Sequence, residues 1–203
     1  LSNVSPWGVY IAGFIFFMGL SAGSLVLAAL PVLFDMPRVR PFAKVAAFVA
    51  LAALVTGGLF IVIDLGRPER AWHMFFFGRL GSPMLWDLLL TVVYFAIGAA
   101  LLLALLAPQK ARRFLKPLAL LALLAGIADG LTAFVFATQV GREYWYSAVQ
   151  PLTFFVAALA SAGAMIILAL LVLRPSGYVR FAVDDLDPLP AMTAVAVGLG
   201  LML

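Results

Sequence analysis

The chain contains no cysteine. Disulfides, thiol chemistry and an iron–sulfur cluster ligated by this chain are therefore excluded. It contains one histidine, His73. A haem b in a helical bundle is normally held between two facing histidines, so a bis-histidine haem within this stretch is excluded too. Charge is scarce as well. Asp, Glu, Lys and Arg make up 11% of the residues, against roughly a quarter in a soluble domain. What fills the space is apolar. Of 203 residues 66% are hydrophobic and the mean hydropathy is +1.15, so the solvent for most of the chain is lipid. The formal net charge of +4 sits in short segments between apolar runs. There it reports membrane topology rather than nucleic-acid binding.

Five apolar segments are long enough to cross a bilayer. They run from about Trp7 to Phe34, Phe42 to Ile63, Met84 to Ala107, Pro117 to Thr138 and Val149 to Leu173. A sixth begins near Pro188 and reaches Leu203. In lipid every backbone polar group must be paired within its own segment, which predicts helices, not barrel strands with ten-residue alternation. The expected fold is all-α, a polytopic transmembrane helix bundle spanning 1–203, with five full spans and the start of a sixth. The chain opens on Leu1 rather than Met and stops inside an apolar run, so a fragment of a longer membrane protein is expected.

The positive residues divide unevenly. The first, third and fifth connections hold nine Lys and Arg: Arg38, Arg40, Lys44, Lys110, Arg112, Arg113, Lys116, Arg174 and Arg180. The second and fourth hold four: Arg67, Arg70, Arg79 and Arg142. The positive-inside rule puts the richer side in the cytoplasm. The N-terminus and the connections at 64–84 and 139–148 are then expected on the outer face of a bacterial or archaeal inner membrane.

The densest polar stretch is Asp64-Leu65-Gly66-Arg67-Pro68-Glu69-Arg70-Ala71-Trp72-His73, followed by Gly81-Ser82-Pro83-Met84-Leu85-Trp86-Asp87. Opposite charges so close together fit either an ion-paired cluster pinning two helix ends or a functional loop. His73 is the one side chain whose ordinary pKa lies near neutrality. Asp129 is a different case. It lies within the fourth apolar segment, and an ionisable group inside a span usually faces the bundle interior, a cavity or a partner. It is a candidate for proton transfer or for binding a polar ligand group. The alternative is a structural carboxyl bonded to Thr132 or a neighbouring helix. Gly19 and Gly23, and again Gly126 and Gly130, repeat at four-residue spacing. That pattern lets helices approach closely, or leaves room for a flat ligand.

These motifs together resemble a known family. The chain opens Trp7-Gly8-Val9-Tyr10 into a small-residue first helix. It continues with Asp64-Leu65-Gly66-Arg67-Pro68-Glu69-Arg70-Ala71-Trp72, then Ser82-Pro83-Met84-Leu85-Trp86-Asp87, then Arg142-Glu143-Tyr144-Trp145-Tyr146-Ser147-Ala148. It resembles the polysulfide reductase membrane subunit family (NrfD/PsrC-like) over nearly its whole length. The resemblance implies eight or more helices, no haem or metal in this chain, and a quinone (menaquinone or ubiquinone) bound near the outer face. It places that site in the first four helices, about 1–138, with 149–203 beginning a second half. It implies a ferredoxin-like iron–sulfur subunit as partner, with a molybdopterin catalytic subunit beyond it. Some members hold the quinone with an Asn and a His in the first helix, where this chain has Tyr10, Ile11 and Phe14. A fourth-helix Tyr of those members is replaced near Ala128–Asp129. The expected proton-active groups are therefore Asp129, His73 and Asp64, and the expected quinone contacts Tyr10, Arg67, Trp72, Asp129 and His73. A purely structural anchor and a proton-translocating subunit remain the alternatives.

Overall fold

A computed structural model describes residues 8–36, 39–64, 69, 73, 76, 78, 79, 81–111, 113–131, 149–176 and 188–202. The 139–148 connection, Arg67 and Trp72 lie outside the described residues. Among the described residues, six apolar helices carry the fold: α1 (Val9–Leu33), α2 (Arg40–Asp64), α3 (Pro83–Leu106), α4 (Leu115–Leu131), α5 (Gln150–Leu173) and α6 (Pro188–Met202). A one-turn helix, Pro108–Ala111, lies between α3 and α4. Four of the six, α1, α2, α3 and α5, are long and apolar enough to cross a membrane. The protein is an all-α polytopic membrane bundle, as its composition requires.

Proline marks the helix starts. Pro83 opens α3 and Pro151 is the second residue of α5, positions where the missing N–H would have had no intrahelical partner. The fourth helix begins at Leu115, two residues before the Pro117 that the sequence suggests as its start. Proline is tolerated anywhere in the first turn for the same reason. The end of α1 follows a different rule. Asp35 takes a left-handed conformation with φ of 47°, and the Met36 N–H donates to the Pro31 carbonyl at 2.9 Å. That is the Schellman arrangement, in which glycine is the usual left-handed residue. Asp35 stands there and pairs with Lys116 at the start of α4, tying two connections together at one end of the bundle. The Lys116 ammonium donates to this carboxylate and holds the Asp35 pKa below the ordinary carboxylate range.

α1 is the hub, packed against α2, α4 and α5. Its neighbours come close because glycine stands at the crossings. A Cβ on Gly23 would lie 2.4 Å from the Ala158 carbonyl oxygen of α5. One on Gly126 would lie 2.9 Å from Val26 and 3.1 Å from the Ala22 carbonyl oxygen of α1. α1, α2 and α3 are pinned by one polar knot. Ser21 donates to the Ala50 carbonyl at 2.7 Å and shares a 2.7 Å hydrogen bond with the Tyr94 hydroxyl. With its proton committed to Ala50, Ser21 accepts from Tyr94. Outward, the bundle is apolar: Phe48, Leu103, Leu124, Leu168 and Val172 are all exposed. In water such a surface would aggregate, whereas in lipid it is the solvated face.

Candidate functional site

The register of the helices brings the polar exceptions together. α1 and α2 run antiparallel, since Phe17 stacks on Phe60 at 5.6 Å between ring centroids while Ser21 reaches Ala50. α5 runs parallel to α1, with Ala158 and Ala162 beside Gly23. α3, bonded through Tyr94 to Ser21, starts at the same end as α1. α4 returns to that end, so Asp129 comes to rest near the start of α3.

A cavity of about 430 Å³ lies at this junction, bounded by α1, α3, α4 and α5. This is within the range of small-ligand pockets, roughly 300–1,000 Å³. Asp87 of α3 and Asp129 of α4 both line it. Asp129 is only 5% exposed and Asp87 is partly buried. The rest of the lining is almost wholly apolar: Phe14, Phe16 and Met18 from α1, Phe154, Phe155 and Ala158 from α5. Gly19 and Gly130 also face it. The two small-residue pairs thus divide their work. Gly23 and Gly126 serve close packing, and Gly19 and Gly130 shape the cavity wall. The hydroxyl of Ser161, another lining residue, is turned back to the carbonyls of Ala157 and Ala158 at 2.8 and 3.1 Å.

Of the residues singled out from sequence, Asp129 lies in the cavity wall. Tyr10 does not. It is exposed near the start of α1, with its ring 6.4 Å from that of Phe60 on α2. Asp64, the last residue of α2, and His73 are exposed and stand outside the lining. Asp87 was not among the sequence candidates. Its signal was available: a charge one turn inside an apolar span, at the end of the Ser82-Pro83-Met84-Leu85-Trp86-Asp87 motif. Read as part of a loop motif, it passes for a boundary residue. Placed on α3, it is the fifth residue of a helix, with the Thr91 hydroxyl donating to its carbonyl at 2.9 Å. Among the described residues, no three His, Asp or Glu side chains converge as a metal site requires.

Two carboxyls at one end of an apolar cavity can hold or pass protons to a ligand that is itself mostly apolar. Comparison with known proteins bears on which ligand that is. Residues 1–195 match the family described as Polysulphide reductase, NrfD. A putative dimethyl sulfoxide reductase membrane subunit of Halobacterium salinarum is 32% identical over 200 residues, covering 88% of this chain and 46% of that protein. The Hdr-like menaquinol oxidoreductase integral membrane subunit of Archaeoglobus fulgidus is 31% identical over 204 residues, covering 100% and 50%. A selenate reductase subunit of Mesobacillus selenatarsenatis is 29% identical over 205 residues, covering 82% and 48%. The chain spans about half the length of these curated relatives.

Proposed function

This chain belongs to the NrfD polysulphide reductase family of redox-complex membrane subunits, and on that premise we propose that it is a haem-free, quinone-reactive membrane anchor. In this reading it exchanges electrons between a quinone or quinol and an iron–sulfur partner subunit docked on the outer face. One observation carries it: Asp129 and Asp87 lie together in the wall of a cavity whose remaining walls are apolar.

The residues fit the ligand. A quinone presents two carbonyl oxygens that accept hydrogen bonds and a tail that needs apolar surface. It supplies two-electron, two-proton chemistry when bound. The chain's part is to hold the ring, keep water out and move protons. Asp129 and Asp87, when protonated, donate to carbonyl oxygens; when ionised, they accept the protons a quinol gives up. Phe154 and Phe155 supply the dry wall that strengthens those polar contacts. The redox relatives named for dimethyl sulfoxide, selenate and menaquinol support a partner with its own catalytic centre, for which a molybdopterin subunit beyond the iron–sulfur subunit is the proposal. In this reading the connections at 64–84 and 139–148 share the outer face with the cavity, and we assign the docking platform to them.

Asp129→Asn tests the reading. Asparagine keeps a hydrogen-bond donor and loses the transferable proton. Ligand binding is expected to survive while quinol-linked turnover falls by about 100-fold or more, the size of a general acid–base contribution. Unchanged turnover would leave a purely structural anchor. A second reading, proton translocation, is favoured by one observation. Tyr94 lies two turns along α3 from Asp87, about 10 Å deeper, and with Ser21 continues the polar groups toward the middle of the bundle. Turnover retained with proton movement lost in the same variant would favour it.

A further inference from the structure

Gly130 follows Asp129 directly, and an aromatic ring lies against it. A Cβ on Gly130 would stand 2.8 Å and 3.2 Å from two ring carbons of Phe155, on α5. Carbon atoms in contact are about 3.5–4.0 Å apart, so the ring rests on the bare backbone of α4 and no side chain fits beneath it. Both residues line the cavity. How closely Phe155 approaches α4 therefore sets the width of the cavity beside Asp129.

The ring is the part of this contact that can yield. Both helices are seated closely on α1. A Cβ on Gly126, one turn before Gly130, would lie 3.1 Å from the Ala22 carbonyl oxygen, and the Ala158 carbonyl oxygen, three residues past Phe155, would lie 2.4 Å from a Cβ on Gly23. Parting α4 from α5 would loosen one of those backbone crossings. The ring needs only to turn about its own side-chain torsions, and the cavity is the open space it borders. A methyl group added at 130 thus acts on the cavity through Phe155.

We propose that Gly130 is a specificity-determining residue: by letting the Phe155 ring lie against the α4 backbone, it leaves the width beside Asp129 that a fused bicyclic 1,4-quinone needs, and the site selects that ring system over a monocyclic one. In such a quinone the second ring is fused beside the line joining the two carbonyl oxygens. When carboxyls answer those oxygens, the second ring lies against the wall. The wall is aromatic and apolar, with Phe14, Phe154 and Phe155 in it. The Ser161 hydroxyl, also in the lining, is bonded to its own helix. A second ring therefore buries apolar surface against apolar surface and strands no polar group.

The proposal rests on the quinone reading, and its test separates the two. The probes are 2-decyl-3-methyl-1,4-naphthoquinone and 2-decyl-3-methyl-1,4-benzoquinone, which differ only in the fused ring. Dissociation constants are read from tryptophan fluorescence quenching in the purified protein. The unaltered protein is expected to hold the naphthoquinone about tenfold more tightly. Gly130→Ala is expected to remove that preference, weakening the naphthoquinone by about tenfold and the benzoquinone much less. Adding Phe155→Leu is expected to return the naphthoquinone to the affinity that Phe155→Leu shows alone, because the displaced ring is gone. A merely structural role for Gly130 would not be undone by that second truncation. Phe155→Trp sets a larger ring on Gly130 and is expected to show the same selective loss if Gly130→Ala fails to accumulate. Gly58→Ala, on α2 with nothing within 4 Å, is expected to leave both constants unchanged. An unaltered protein with no preference, equal or no weakening in Gly130→Ala, or a loss that persists in the double variant overturns the role of Gly130 and leaves the quinone reading standing. Absence of binding of either compound to the unaltered protein overturns the quinone reading and the selectivity with it.

Discussion

Ser21 serves two partners at once, and the two sides of that arrangement are not equivalent. Removing the Tyr94 hydroxyl leaves Ser21 still bonded to Ala50. Removing the Ser21 hydroxyl leaves the Tyr94 hydroxyl stranded, in a side chain only 2% exposed. A lost hydrogen bond costs about 1 kcal/mol, and a stranded buried donor roughly 1–3 kcal/mol. Tyr94→Phe is therefore expected to be the milder variant and Ser21→Ala the more severe. The double variant should recover part of the Ser21→Ala loss, since no hydroxyl is then left stranded. Unfolding midpoints in a denaturant titration of the purified protein check that order. At this same scale the site was only partly legible in the sequence. Asp129 was legible because a carboxylate within an apolar run has few structural uses. Asp87 was not, because its position at the end of a loop motif hid the helix turn that precedes it. Tyr10 suggests itself by its place on the first helix and His73 by its chemistry. Side-chain direction, which turns Tyr10 toward Phe60 and α2, is set by tertiary register and cannot be read from the chain.

The helices were legible almost in full, since lipid requires each one to satisfy its own backbone and so to be long and continuously apolar. Which face of each helix meets which neighbour was not. Uniform hydrophobicity erases the amphipathic stripe that would reveal it in a soluble protein. The glycines carry that information instead, and not equally. Gly23→Ala would place a Cβ 2.4 Å from a backbone oxygen of α5, and backbone cannot rotate away as a side chain can. The helices must separate, at a cost of about 1–3 kcal/mol. Gly58→Ala, on α2, meets nothing within 4 Å and is expected to stabilise by roughly 0.5–1 kcal/mol through the helix preference for alanine. The two substitutions are chemically identical, so opposite shifts in the thermal midpoint would report the α1–α5 crossing rather than helix propensity.

For the molecule as a whole, the arrangement concentrates polarity. A bundle with an apolar exterior keeps its cavity-facing carboxyls at one end, where α1, α3, α4 and α5 meet and where connections rich in Arg, Asp and aromatic residues lie close in the chain. Such a layout is the one the proposed quinone-reactive function requires, with the ligand's proton-active partners gathered at one end of the bundle. The most direct measurement is photo-crosslinking with an azido-quinone in native membranes, followed by mapping of the labelled peptides. The expected result is label on residues 12–19 of α1 and 154–161 of α5, competed away by excess quinone. Label confined to the opposite, Lys116-bearing end of the bundle, or spread evenly over the lipid-facing surface without competition, would contradict it.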